Sequence, residues 1–178
     1  MDKRKKITLS DVAAELNISS TVVSMVLNGR AKKYRISEAV EQNVRRKAKE
    51  MGYQPNSLAQ GLRTGKTRTI GLILGDVSNP FFSKIASCVE KEAARYNYQV
   101  MFASSDESSE KFERAAQMFL SKQVDGLIVA PTENSEKIIM DIVKNRKPVV
   151  LIDRIVKEVP VDYVQINNKD ATYRLANL

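Results

Sequence analysis

Residues 18–29 read ISSTVVSMVLNG. Val22, Val23, Val26 and Leu27 fall on one side of a short helix, and Ser20, Thr21, Ser24, Met25 and Asn28 on the other, with no charge among them. Just upstream, residues 8–16 read TLSDVAAEL. Thr8 is placed to cap that helix, with Asp11 as its capping-box carboxylate, and Leu9, Val12, Ala13 and Leu16 recur at helical spacing. Asn17 tolerates the left-handed backbone that a tight turn needs, Ser19 caps the second helix and Gly29 closes it. Helix, tight turn and helix make a helix-turn-helix pattern. A third helix is expected after its cap Ser37. Glu38 and Glu41 lie near its positive end, Val40, Val44, Ala48 and Met51 face inward, and Gly52 stops it.

The uncharged helix face sits in a basic segment. Up to Arg68 there are 15 Lys and Arg against 6 Asp and Glu, a net of +9; from Thr69 onward there are 14 against 15, a net of −1. Basic charge confined to one end of a chain points to a polyanion binder joined to something else. Duplex DNA accounts for both features. Base edges need close approach by small hydrogen-bonding side chains such as Ser20 and Thr21, and Met25 can touch a thymine methyl. The flanking charges belong to the phosphates. The plainer alternative is a three-helix domain with a solvated polar face.

Other classes are excluded or weakened. The 178 residues contain no histidine and one cysteine, Cys88. A His-based triad, a Cys/His zinc site and an intrachain disulfide are thereby ruled out, and no cofactor or metal is expected. Cys88 reads as a small buried hydrophobe. No catalytic constellation is found, so the chain is not read as an enzyme. The start, MDKRKKITLSDV, is basic without a long apolar run, so it is not a signal peptide, and no apolar stretch is long enough for a bilayer. A cytoplasmic protein is expected. RTGKTRT is not a P-loop: three residues rather than four separate Gly61 and Gly65, and a strand follows instead of preceding.

Residues 53–69, YQPNSLAQGLRTGKTRT, read as a linker. Pro55 breaks the chain, and Asn56 or Ser57 can cap a short helix through Leu62 that Gly61 weakens by about 1 kcal/mol. From Thr69 the pattern changes. TIGLILG, YQVMFASS, DGLIVAP, PVVLID and DYVQIN are short apolar runs, the first four separated by amphipathic helical stretches. Continuously apolar strands alternating with helices predict a doubly wound α/β domain with a parallel sheet. The closing NNKDATYRLANL reads as another helix beginning, so this α/β domain is expected to be incomplete. Open α/β sheets bind ligands beyond the C-terminal ends of their strands. DVSNPFF, with Phe81 and Phe82, and the pair Asp153 and Arg154 end two strands at that edge. Each has a bland reading, core aromatics and a surface ion pair; jointly they suggest a site.

ITLSDVAAELNISSTVVSMVLNG, MGYQPNSLAQGL, TIGLILGDVSNPFF, VDGLIVAP and PVVLIDR, in that order, resemble the LacI/GalR family of bacterial transcription regulators. The resemblance runs from Ile7 to the last residue. It implies an all-α helix-turn-helix headpiece (1–54), a hinge helix and linker (55–68), and the N-terminal part of a core resembling periplasmic sugar-binding proteins (69–178). It also implies a homodimer on a near-palindromic double-stranded DNA operator, with affinity modulated by a small effector such as a sugar, and no membrane role. Matched by position, Ser20, Thr21 and Met25 read bases, while Thr8, Ser19, Ser24, Asn28 and Ser37 contact phosphates. Leu62 is the hinge leucine that enters the minor groove, and Phe82, Asp153 and Arg154 contact effector. Three features depart from the family's pattern: Met25 at a place often held by a polar reader, a longer and more basic GRAKKYRI loop, and Gly61 within the hinge. With no second subdomain in this stretch, the effector cleft would lack one wall. The competing class is a sugar- or nucleoside-binding module without a DNA role; the basic headpiece decides against it.

Overall fold

The computed structural model describes residues 7–55, 61, 64–157, 159–167, 172, 173 and 176. The chain divides into two compact units, Met1–Asn56 and Ser57–Leu178.

Among the described residues the first unit has three helices, α1 (Leu9–Leu16), α2 (Ser20–Leu27) and α3 (Glu38–Glu50), with a 3-10 turn at Lys32–Tyr34. Thr8 and Asp11 close a reciprocal capping box at the start of α1. Asn17 ends α1 at φ 51°, and its N–H reaches the carbonyls of Ala13 and Ala14. That left-handed residue sets the tight turn into α2. Val12, Ala13, Val23, Val26, Ala31, Val44 and Ala48 form the core. The inward face expected for α3 needs one correction: Val40 is 36% exposed. It sits in the first turn of α3, whereas the packed cluster begins one turn later at Val44.

The described residues of the second unit form a five-stranded sheet of order β2-β1-β3-β4-β5, parallel throughout. Its strands are β1 (Thr69–Leu74), β2 (Gln99–Ser104), β3 (Gly126–Val129), β4 (Val149–Ile152) and β5 (Asp162–Val164). Helices α4 (Pro80–Arg95), α5 (Ser109–Ser121) and α6 (Glu136–Lys144) make the crossovers. Alternate strand residues feed two cores. Ile73, Leu127, Val129, Val149 and Leu151 pack with Phe112, Phe119, Ile139 and Ile142 of α5 and α6. Leu72, Leu74 and Ile152 pack with Phe82, Ile85, Ala86 and Val89 of α4. The continuous apolar runs reflect this covering of both faces.

Two local features have clear physical causes. A Cβ at Gly71 would lie 2.5 Å from the Phe119 ring, so the missing side chain lets α5 sit close on β1. The β4-to-β5 connection, residues 153–161, is short for a parallel crossover. It buries Val156 and Val159 in the α5–α6 core, where a helix would ordinarily cover the sheet. Cys88 corrects an expectation: it is exposed, because the inward stripe of α4 runs through Phe82, Ile85, Ala86, Val89 and Ala93 and misses it. The final helix expected after Ile166 falls largely outside the described residues.

Candidate nucleic-acid interface and ligand cleft

On α2, Thr21, Met25 and Asn28 follow one line at spacings of four and three, with Ser20 and Ser24 beside it. Ser20 and Thr21 are exposed; Ser24, Met25 and Asn28 are half-buried. Val23 and Val26 are buried on the opposite side. Nδ2 of Asn28 donates to the Ser24 carbonyl at 2.7 Å and to its hydroxyl at 3.2 Å, tying the two residues into one polar unit.

The cap residues have unequal spare capacity. Ser19 accepts from the Val22 N–H at 3.3 Å and Ser37 from the Val40 N–H at 3.4 Å. Their hydroxyl protons have no acceptor among the described residues and can point to an anion at the helix N-terminus. Thr8, though exposed, is committed to its own capping box: its hydroxyl and its backbone N–H both donate to Asp11 Oδ2, at 2.6 and 2.8 Å. Arg30, Lys32, Lys33 and Arg35, around the 3-10 turn, are exposed and form no ion pair among the described residues. Leu62 and most of the hinge, residues 56–60 and 62–63, lie outside the described residues.

Sequence reading missed Arg45. It bonds Glu41 through Nε at 2.9 Å and Nη2 at 2.8 Å, and Nη2 also donates to the Val26 carbonyl at 3.1 Å. The i,i+4 pair was visible in the sequence; the contact with α2 was not.

In the second unit, Glu107, Thr132, Arg154 and their neighbours line a cleft of about 690 Å³. Arg154 follows β4, and its Nη1 meets Glu107 Oε2 at 2.5 Å; its Nε is 3.9 Å from Asp153 Oδ2. Asp153 has a left-handed backbone, φ 69°. Of the three residues expected to touch effector, Arg154 lines the cleft, while Phe82 and Asp153 are not among its lining residues. Phe82 is 7% exposed, and Phe81 meets it edge-on at 5.1 Å and is 40% exposed. Phe82 still borders the site's support: a Cβ at Gly75 would come within 2.9 Å of its ring and 2.5 Å of Glu107 Oε1. Glu107 is the residue that sequence reading missed here. Next to it, hydrogen bonds from Lys111 and then Ser104 hold the Asp106 carboxyl below the usual carboxylate range.

Two family models match the chain. "Bacterial regulatory proteins, lacI family" covers residues 8–56, and "Periplasmic binding proteins and sugar binding domain of LacI family" covers residues 67–177. The chain belongs to the LacI family. Among curated LacI-family relatives, a probable HTH-type transcriptional regulator, EndR, of Paenibacillus polymyxa is 32% identical over 93% of this chain and 48% of its own length. Catabolite control protein A of Streptococcus mutans is 34% identical over 96% of this chain and 50% of its own. The chain thus spans about half the length of the curated relatives it matches. A crystal structure of the Lac repressor dimer bound to operator and the anti-inducer ONPF superposes with a TM-score of 0.80. It covers 97% of this chain and 53% of that one at 22% identity, a likeness that shows the fold.

Proposed function

We propose that the chain is the DNA-reading and effector-facing part of a sequence-specific transcription regulator, a repressor working as a homodimer in the cytoplasm. The observation that carries this is the face of α2. Small polar side chains and Met25 stand where base edges would be read, and the cations lie off the helix, around the 3-10 turn. Residues 1–54 bind the operator, residues 55–68 form the hinge, and residues 69–178 hold one wall of the effector cleft. Ser20, Thr21 and Met25 read bases. Ser19, Ser24, Asn28 and Ser37 contact phosphates, and Thr8 does so chiefly through the N-terminus of α1 that it caps. Leu62 enters the minor groove, where an apolar wedge kinks the duplex. Phe82, Asp153 and Arg154 contact effector, Arg154 from the cleft wall itself. Regulation of transcription by relatives such as EndR, and the operator-bound dimer of the Lac repressor, support the reading. It has no enzymatic step.

Selection of bound sequences from random duplexes, with and without added sugars, tests the reading. A near-palindromic consensus is expected. Recovery of unselected sequence would remove the DNA-reading role.

A further inference from the structure

We propose that the cleft at the C-terminal edge of the sheet takes an uncharged polyhydroxylated molecule, and that Glu107 is the specificity-determining residue that keeps sugar phosphates out. This rests on the effector reading above. The cleft, about 690 Å³, is of small-ligand size. Its wall carries three carboxylates, Glu107, Glu133 and Glu136, against two cations, Arg154 and Lys157. Arg154 has the planar fork that suits a phosphate. One arm of that fork, Nη1, is engaged by Glu107 Oε2 at 2.5 Å, and Asp153 Oδ2 lies 3.9 Å from Nε. A phosphate monoester brings a charge of roughly −1.5 to −2 at neutral pH. At Arg154 it would meet the Glu107 carboxylate already paired with Nη1, on a wall that is already net acidic, and it could use the whole fork only by displacing Glu107.

The fold holds Glu107 in that position. Asp106 and Glu107 both have left-handed backbone, φ 47° and 59°, which turns the chain back over the strand ends. The strand order places the end of β1 and of β3 between Glu107, after β2, and Arg154, after β4. Glu107 Oε1 crosses the first of these at Gly75, where a Cβ would come within 2.5 Å of it. The bare Gly75 therefore lets the carboxylate span to β4. A neutral polyol suits the resulting pair. Each hydroxyl donates one hydrogen bond and accepts others, so it can satisfy the Glu107 carboxylate and the Arg154 N–H groups without upsetting their charge balance. Thr132 adds a third group. It is 5% exposed, and its hydroxyl has no hydrogen-bond partner among the described residues. A ligand hydroxyl would supply one after a side-chain rotation.

The test is amide NMR on the isotope-labelled chain, as the unsubstituted protein and as Glu107→Gln. The probes are inorganic phosphate, ribose and glucose, and the terminal phosphate esters of the two sugars. In the unsubstituted protein the neutral sugars should shift the amides of Glu107, Thr132 and Arg154, and the phosphates should not at equal concentration. In Glu107→Gln, with Arg154 released, affinity for inorganic phosphate and the sugar phosphates should rise by about fivefold. Glu107 is half-exposed, so the variant is expected to fold. If the unsubstituted protein takes a phosphate ester as well as its parent sugar, exclusion is overturned and the effector reading stands. No gain in Glu107→Gln overturns the role of Glu107. If no probe moves these amides in either protein, both the ligand class and the role of Glu107 are overturned, while the effector reading, in which these residues hold one wall of the cleft, is decided by the duplex selection with and without sugars.

Discussion

Nη2 of Arg45, on α3, donates to the carbonyl oxygen of Val26 in the last turn of α2, at 3.1 Å. The final carbonyls of a helix lack partners within it. The Val26 carbonyl already accepts from the Gly29 N–H at 3.0 Å, and Arg45 adds a second donor from α3, tying down the end of the helix whose outer face is proposed to read DNA. Glu41 holds the same guanidinium from the preceding turn of α3.

Arg45→Ala should therefore destabilise the three-helix unit by about 1 kcal/mol, the net worth of such a bond. Glu41→Gln, which removes a half-buried i,i+4 ion pair and a carboxylate in the first turn of α3 but leaves the Val26 contact, should cost less than that, about 0.5 kcal/mol. Denaturant unfolding of both variants makes the comparison. Equal losses would mean that the Val26 contact adds nothing.

Gly71→Ala should destabilise the α/β unit by about 1–3 kcal/mol, the usual cost of overpacking. Its Cβ would meet the Phe119 ring at 2.5 Å, and Phe119 is fully buried. Phe119→Leu in the same background should recover part of the loss by making room. Thermal unfolding of the single and double variants reads this out, and simple additivity would argue against the clash.

Asp125 ties the start of β1 to the loop before β3. It accepts from the Thr67 N–H at 2.7 Å, the Thr67 hydroxyl at 3.0 Å and the Arg68 N–H at 3.1 Å. Partial burial pushes its carboxyl up, but the hydrogen bonds from Thr67 and Arg68 outweigh this, and it ends below the usual carboxylate range. A depressed carboxyl contributes stability that is present above its unfolded pKa, about 3.9, and lost as pH falls through the folded value. Stability should thus fall with acid below about pH 4 more steeply in the unsubstituted chain than in Asp125→Asn. Unfolding curves across that window decide it; parallel curves would place the acid sensitivity elsewhere.

Base reading and phosphate contact should separate under mutation. Met25→Ala is expected to shift preference at one operator position by about 1–3 kcal/mol or less, and Ser37→Ala to weaken all duplexes alike. Binding should also fall steeply with salt as released counterions lose their advantage. Titrations on several duplexes at two salt concentrations measure all three effects, and a flat salt response would contradict phosphate-dominated contact.

Gly61→Ala tests the hinge. A Cβ there would meet the Lys66 carbonyl oxygen at 3.4 Å, an ordinary contact, and the backbone needs no left-handed freedom. The substitution should raise operator affinity by at most about 1 kcal/mol, by lowering the entropy of the unfolded segment. Leu62→Ala should lower affinity and reduce the DNA bend. An unchanged bend, measured by gel phasing or fluorescence transfer, would remove Leu62 from the minor groove.

Local chemistry was legible in the sequence. Thr8 with Asp11, Asn17, Ser19 and Ser37 announce their caps and turn, because a cap is decided within four residues. The alternation of apolar runs and amphipathic stretches gave the parallel α/β unit for the same reason: period and burial are properties of a short window. Tertiary structure alone decided what depends on chain distance. Val40 and Cys88 left their expected places because burial depends on which element lies opposite, not on spacing alone. Arg45 reaches Val26 across 19 residues, and Arg154 reaches Glu107 across 47. That second pair exists because strand order brings the ends of β2 and β4 to one edge and leaves Gly75 bare between them. No short window carries that information, since it arises only when separate elements pack and their backbones fix how closely side chains can cross.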